Sequence, residues 1–246
     1  MQAFIGDFVS AGNVDFSQEL FMKIQFSGCD YKCPYCNTPE FLETKLEQQL
    51  DLREIYKEMQ NHIGRIEGVF LTGGEPCFQK QALKNVLSKA KEFRLKTILD
   101  TNGSKPEVIE QILKEELLNT IIMDFKAPMN ELFDKVTKSS TFFKPATEII
   151  TETKQTLEIL KAYDEKTNII FRTTIVPGLL FRKEDILKMA EEIEGINAIW
   201  ELQPFRNGLL AKKEMQNINS PTPTFIENLK ESIKKNIPSL NVRIIS

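Results

Sequence analysis

Short apolar segments that alternate with amphipathic segments most constrain how this chain can fold. Six segments have the composition of buried strands: 20–26, 68–72, 95–100, 120–124, 168–172 and 198–202. Apolar residues at helical spacing follow each of them: 51–63, 83–90, 104–113, 150–163, 186–193 and 225–233. This alternation is typical of a parallel sheet covered by helices. Six units are too few for a closed eight-stranded barrel, so we expect an α/β fold with an open, partial (β/α)6 barrel. A doubly wound sheet is the alternative.

The composition excludes several classes of function. The 246 residues include 32 Lys+Arg and 35 Asp+Glu, which gives a net charge of −3. Because the chain has no excess of basic residues, binding to nucleic acid or to an anionic membrane is disfavoured. No apolar run is long enough to span a membrane, and the N-terminus does not resemble a signal peptide. We therefore expect a cytoplasmic protein with a single domain over 1–246, a core over about 19–208, and a helix and a final strand within 222–246.

Polar or glycine-rich segments follow all six predicted strands. They are 29–36, 72–76, 100–103, 124–126, 172–174 and 203–206. The carboxyl ends of parallel strands lie at one edge of a sheet, and barrel enzymes have their active sites there. Asp and Gly at strand ends also form turns and cap helices without any catalytic role. The pattern favours one cavity that all six segments reach.

Three of the four cysteines, Cys29, Cys33 and Cys36, fall within eight residues, and the fourth is Cys77. Such bunching in a reducing compartment indicates a metal site, and sulfur ligands select zinc, copper(I) or iron–sulfur. Cys77 could complete a closed four-cysteine site, whereas three cysteines on a four-iron cluster leave one iron open. The single histidine, His62, lies near the end of a helical pattern, so we expect a surface or helix-end role for it.

Two motifs resemble the radical S-adenosylmethionine (SAM) enzymes. Cys29-x3-Cys33-x2-Cys36, with the aromatic Tyr35 before the last cysteine, resembles their cluster-binding signature. Gly73-Gly74-Glu75-Pro76 resembles their second motif, which in the family contacts the amino group of SAM. The resemblance implies that the three cysteines hold a [4Fe-4S] cluster and that Tyr35 and the second motif contribute to cofactor binding.

Four further segments resemble the activating enzymes of glycyl-radical enzymes: 100–103, 124–126, 171–178 and 203–206. The similarity is greatest to activators of anaerobic ribonucleoside-triphosphate reductase and pyruvate formate-lyase. The resemblance implies that four residues lie near SAM, in some members around a monovalent cation: Asp100, Thr101, Asn102 and Asp124. It also implies that two catalytic residues add positive charge near SAM or the radical: Lys126 and Arg172.

The mechanism that the resemblance implies begins with an electron from a reduced cluster, which cleaves SAM into methionine and a 5′-deoxyadenosyl radical. The radical then abstracts a hydrogen from a glycine Cα of a large partner enzyme, such as an anaerobic ribonucleotide reductase. An external donor such as a flavodoxin or ferredoxin supplies the electron.

Two other functions remain open at this point. One is a radical SAM enzyme that acts on a small molecule, as 7-carboxy-7-deazaguanine synthase does, although the glycine-rich opening of that enzyme is not evident at 10–15. The other is a closed four-cysteine module for metal binding or electron transfer. In the radical SAM interpretations, Cys77 is an unligated thiol near the cavity.

Overall fold

The computed structural model describes residues 1–14, 17–207 and 213–245. The strands of this part are β1 (Gln2–Val14), β2 (Ser17–Phe26), β3 (Gln49–Asp51), β4 (Gly68–Gly73), β5 (Lys96–Thr101), β6 (Thr120–Asp124), β7 (Asn168–Ile175), β8 (Ala198–Pro204) and β9 (Asn241–Ile244). The α-helices are α1 (Leu52–Asn61), α2 (Lys80–Glu92), α3 (Pro106–Lys114), α4 (Leu132–Thr137), α5 (Ala146–Tyr163), α6 (Lys183–Glu192) and α7 (Pro223–Asn236).

The chain divides into two compact units. Unit 1 comprises Met1–Asp30, Glu40–Thr101 and Glu107–Ile122. Unit 2 comprises Tyr31–Pro39, Asn102–Pro106 and Met123–Ser246. The single-domain expectation stays a prediction.

Unit 1 contains a mixed sheet with the strand order β3-β1-β2-β4-β5. β2, β4 and β5 are parallel, and their register pairs Phe26 with Gly73 and Leu71 with Leu99. Apolar side chains such as Ile24 and Leu71 are completely buried in these strands. The parallel strands therefore end side by side, as the sequence predicts.

Two strands of unit 1 were not predicted. β1 pairs antiparallel with β2 through several register shifts, and its first residues pair with the short β3. Among the side chains of β1 whose burial is described, only Ala3 and Ile5 are buried apolar residues, so this part of the strand lacks a continuous apolar pattern. β1 covers most of the segment 10–15, of which Asp15 lies outside the described residues.

The ends of α1 follow from local side-chain chemistry. The Asp51 side chain accepts a hydrogen bond from Arg53 N at 2.9 Å and so caps the first turn. His62 caps the other end, where its Nδ1 lies 3.0 Å from Glu58 O. The helix-end role predicted for the histidine is confirmed.

Unit 2 contains the parallel strands β7, β8 and β9 in that order. A buried network joins the first two, because Trp200 Nε1 donates to Thr173 Oγ1 at 2.9 Å and the Thr173 hydroxyl donates to Phe125 O at 2.6 Å. The final strand expected within 222–246 is present as β9. The short α4 was not predicted, and it lies between the predicted strand 120–124 and the predicted helix 150–163.

The predicted fold class is confirmed. All six predicted strands are present, a helix follows each of them, and the strands of neither unit close into a barrel, because β3 and β9 are edge strands of their units. Among the residues that the structure describes, no helix is long and apolar enough to cross a membrane.

Thr173→Val should destabilise the chain by about 1–3 kcal/mol, because it leaves the buried Trp200 N–H and Phe125 carbonyl without this partner. Urea unfolding checks this, with Thr174→Val at the neighbouring half-buried position as the control. Equal stability of the two variants would contradict the role given to the network.

Candidate active site

In unit 1 the glycine pair at the end of β4 packs directly against other backbone. A Cβ on Gly74 would lie 2.5 Å from Gly28 O and 2.6 Å from Phe41 O. Gly73 has a φ of +109°, and a Cβ there would lie 2.4 Å from Phe26 O. Only glycine allows this approach. The pair therefore brings the second motif against the backbone that leads into the cysteine loop.

Backbone hydrogen bonds fix that approach. Gly74 N donates to Phe26 O and Glu75 N donates to Gly28 O, both at 2.8 Å. Cys29, the next residue along, donates its N–H to Leu42 O at 3.0 Å and is partly exposed. The first cysteine and the second motif are thus held by one connected set of backbone contacts in unit 1.

Glu75 is completely buried. Its Oε1 accepts hydrogen bonds from Cys77 N at 2.9 Å and from the Thr101 hydroxyl at 2.7 Å. It therefore caps the short 3-10 helix Pro76–Gln79 in addition to any role toward a ligand. A buried carboxyl group needs such donors because burial removes its contacts with water.

Asp100 lies beside this group at the end of β5. Its Oδ2 accepts a hydrogen bond from the Thr72 hydroxyl at 2.9 Å. Glu75, Asp100 and Thr101 together make the end of the unit 1 sheet rich in carboxyl and hydroxyl oxygens.

In unit 2 the remaining part of the cysteine loop is anchored to α4 and α5. Tyr31 packs edge-on against Phe133 with ring centroids 6.1 Å apart, and its hydroxyl lies 3.5 Å from Thr153 Oγ1. Lys32 N donates to Thr137 O at 2.9 Å. These contacts hold the loop to helices of the same unit.

The last two cysteines of the motif share a turn, in which Cys36 N donates to Cys33 O at 3.1 Å. Burial raises the pKa of the Cys33 thiol from 9.0 to about 11, although the nearby Lys126 ammonium lowers it. Burial also raises the pKa of Tyr35 well above its ordinary value. Cys33 therefore releases a proton when it becomes a metal ligand.

Asp124 and Lys126 form a close ion pair at the end of β6. Lys126 Nζ lies 2.6 Å from Asp124 Oδ2, and 15% of the lysine side chain is exposed. Burial lowers the pKa of Lys126. Electrostatic interactions raise this pKa by more, foremost the interaction with Asp124, followed by those with Cys33 and Tyr35, so the pKa lies well above its ordinary value. The lysine therefore stays charged near the cysteine turn.

Arg172 on β7 belongs to a buried charge cluster that sequence reasoning missed. Its guanidinium binds Glu201 Oε2 at 2.8–2.9 Å, while Arg243 Nε binds Glu201 Oε1 at 3.1 Å. Glu201 is completely buried. The available signal was a charged residue within the otherwise apolar predicted strand 198–202.

Asn102, expected among the SAM contacts, is buried and structures the turn after β5. Its Oδ1 accepts a hydrogen bond from Ser104 N at 2.9 Å. Asn102 and Asp124 belong to unit 2, whereas Asp100 and Thr101 belong to unit 1. The expected grouping of these four residues stays a prediction, as does the convergence of Cys29 with Cys33 and Cys36.

The donor set present fits an iron–sulfur cluster. All four cysteines are free of disulfides, and three of them lie in one loop with Lys126 charged near Cys33. Within the described part of the chain, no three His, Cys, Asp or Glu side chains are arranged around one metal ion. A four-iron cluster does not need that arrangement, because each thiolate binds its own iron.

Gly74→Ala should cost about 1–3 kcal/mol of folding stability, because the added methyl overlaps two carbonyl oxygens. Denaturant unfolding measures the loss. Gly12→Ala is the matched control, since its Cβ would meet only Val9 Cγ1 at 3.3 Å. An unaltered stability of the Gly74 variant would show that the backbone approach is not tight.

Glu201→Gln should destabilise the chain by about 3–5 kcal/mol, because it removes the charge that two arginines share in a buried site. Chemical denaturation at neutral pH checks the loss, and the exposed Glu194→Gln is the control. If both variants unfolded alike, the buried cluster would contribute nothing to stability.

Comparison with known proteins places the chain in a family. Residues 24–193 match the model of the Radical SAM superfamily. A protein of Methanocaldococcus jannaschii, provisionally named a glycyl-radical enzyme activating enzyme, is 26% identical over 248 residues, which cover 100% of this chain and 98% of the relative. The pyruvate formate-lyase-activating enzyme of Clostridium pasteurianum is 27% identical over 202 residues, with 79% of each chain covered.

Solved structures show the same fold. A radical SAM methyltransferase from Sphaerobacter thermophilus superposes with a TM-score of 0.68 at 13% identity, over 98% of this chain and 77% of that one. Because the superfamily model matches more than half of the chain, the protein belongs to the radical SAM superfamily, and membership implies SAM and a [4Fe-4S] cluster as cofactors.

Proposed function

We propose that this radical SAM enzyme installs a glycyl radical on a partner enzyme related to anaerobic ribonucleotide reductase. The observation that carries the proposal is the similarity along the whole chain to a relative named as a glycyl-radical enzyme activating enzyme. The segments 100–103, 124–126 and 171–178 at the ends of β5, β6 and β7 support it, because they resemble the same group of activating enzymes.

The cysteine loop supplies the ligands in this proposal. Cys29, Cys33 and Cys36 bind a [4Fe-4S] cluster, which, when bound and reduced, supplies the electron that cleaves SAM into methionine and a 5′-deoxyadenosyl radical. Tyr35 belongs to the same loop, and its buried side chain excludes water. Burial of Cys33 and Tyr35 supports this part, since a dry environment protects a reactive radical.

The SAM amino acid moiety is held by the second motif and by charged side chains. Glu75 pairs with the ammonium, and the backbone at Gly73 and Gly74 forms the approach to it. A carboxyl-rich end of the unit 1 sheet suits a cationic group. The high pKa of Lys126 supports its role as a permanent positive charge toward the SAM carboxylate.

The remaining residues complete the site. SAM is bound by four residues: Asp100, Thr101, Asn102 and Asp124. A monovalent cation lies between their carboxylates and the SAM carboxylate, because carboxylates that lie close together need positive charge between them. Arg172 adds positive charge near the radical, and its pairing with Glu201 fixes the guanidinium in place. A flavodoxin or ferredoxin serves as the electron donor.

The test measures the transfer of a hydrogen atom from the partner's glycine to 5′-deoxyadenosine. The cluster-loaded chain, SAM and a reductant are incubated anaerobically with an anaerobic ribonucleotide reductase whose glycine is deuterated. We expect a glycyl radical in the electron paramagnetic resonance spectrum of the partner and deuterium in the 5′-deoxyadenosine. Cys33→Ala should abolish both, because it removes a cluster ligand.

Two results would contradict the proposal. One is SAM cleavage with no radical on any candidate glycyl-radical enzyme. The other is turnover of a purine-like small molecule without a protein partner, which would favour a small-molecule radical SAM enzyme. The exposed Glu194→Gln variant is the control and should behave as the wild type, because Glu194 lies outside the six strand-end segments and the proposed cofactor contacts.

A further inference from the structure

Cys77 has no role in the function proposed above, yet it contacts both Glu75 of the second motif and Thr101, which donates a hydrogen bond to Glu75. The residue is 2% exposed. Its Sγ lies 3.6 Å from Thr101 Oγ1, and the Thr101 hydroxyl donates to Glu75 Oε1 at 2.7 Å. The backbone N–H of Cys77 donates to the same Glu75 oxygen at 2.9 Å.

The direction of this chain of hydrogen bonds follows from the number of hydrogens. A threonine hydroxyl has one hydrogen to donate, and here Glu75 Oε1 accepts it. The Cys77 S–H is then the donor in its contact with Thr101, and the Cys77 side chain also lies within hydrogen-bond reach of Glu75 itself. Burial and the Glu75 carboxylate raise the pKa of Cys77 well above its ordinary value, so the thiol keeps this proton at neutral pH.

We propose that Cys77 and the Thr101 hydroxyl position Glu75, which they orient through the hydrogen-bond chain Cys77 S–H to Thr101 O–H to Glu75 Oε1; for Thr101 this role is in addition to the SAM contact proposed above. The role rests on the proposed function, in which Glu75 meets the SAM ammonium. In this arrangement Cys77 is a hydrogen-bond donor and not a fourth metal ligand.

Two donors from different elements fix the carboxylate. The Cys77 N–H approaches Glu75 Oε1 from the 3-10 helix Pro76–Gln79, and Thr101 approaches from the last residue of β5. Together they restrict rotation of the carboxyl group. The thiol in turn fixes the rotation of the Thr101 hydroxyl, and hydrogen bonds in a buried chain polarise one another.

The first test measures SAM affinity of the cluster-loaded enzyme by equilibrium dialysis with radiolabelled SAM. Thr101→Val should raise the Kd about tenfold, the lower end for losing one hydrogen bond to a charged group. Cys77→Ala should raise it about threefold, as expected for a weaker and indirect bond. Thr101→Ser and Cys77→Ser keep a donor and should restore affinity to within about twofold.

The control is Thr97→Val, because Thr97 is equally buried on the same strand but bonds to Leu117 O and Asn119. It should leave SAM affinity unchanged. Iron and sulfide content must match the wild type in every variant compared. If the wild type binds SAM and Thr101→Val and Cys77→Ala bind it equally well, the positioning role is overturned while the proposed function stands.

The second test observes the thiol directly by infrared spectroscopy of the cluster-loaded enzyme. The proposed cluster binds three of the four cysteines as thiolates, so Cys77 should give the only S–H stretching band. The band should disappear in Cys77→Ser and change frequency in Thr101→Val, because the S–H loses Thr101 as an acceptor. A loaded wild type that lacks the band, with the band returning when the cluster is removed, would make Cys77 a ligand and overturn the inference.

Failure of the proposed function and failure of this inference give different results. A wild type that does not bind SAM overturns the proposed function and, with it, the role of Glu75 toward SAM. Affinity that is lost equally in the serine and in the alanine or valine variants overturns the inference alone, because the loss would then reflect packing and not a donated hydrogen.

Discussion

The buried carboxyl group of Glu75 is the constraint on which much of unit 1 depends. A carboxyl group out of contact with water needs donors, and this one receives them from Cys77 N and the Thr101 hydroxyl. The glycine pair before Glu75 positions it, because Gly73 packs against Phe26 and Gly74 packs against Gly28 and Phe41 at distances that no side chain permits. The same packing positions the backbone that leads to Cys29, so one steric requirement orders both the second motif and the start of the cysteine loop.

In unit 2 the corresponding constraint is charge. Lys126 is kept protonated by the Asp124 carboxylate, and Glu201 is buried between two arginines. Each buried charge therefore has a partner of opposite sign, as burial requires. The consequence for the proposed chemistry is a cysteine turn with permanent positive charge nearby. Such charge favours thiolates and anionic groups, whereas burial alone opposes thiolate formation at Cys33.

Much of this could be predicted from the sequence, because apolar strands and helical periodicity are local signals. All six predicted strands are present, and the polar ends of β2, β4 and β5 lie side by side in unit 1. β1 was missed because its exposed side chains hide the strand pattern. The partners of the site residues were missed for a different reason. That Glu201 binds Arg172 and Arg243, or that the Thr101 hydroxyl donates to Glu75, depends on contacts between residues far apart in the chain, which no spacing encodes.

The central claim is that the cysteine loop holds a cluster with an iron open to SAM. The most direct measurement is anaerobic reconstitution with iron and sulfide, followed by reduction and electron paramagnetic resonance with and without SAM. The account predicts a [4Fe-4S]⁺ signal that changes when SAM is added, because SAM binds the open iron. A cluster whose signal is indifferent to SAM, or zinc bound in its place, would contradict it and favour a closed four-cysteine site.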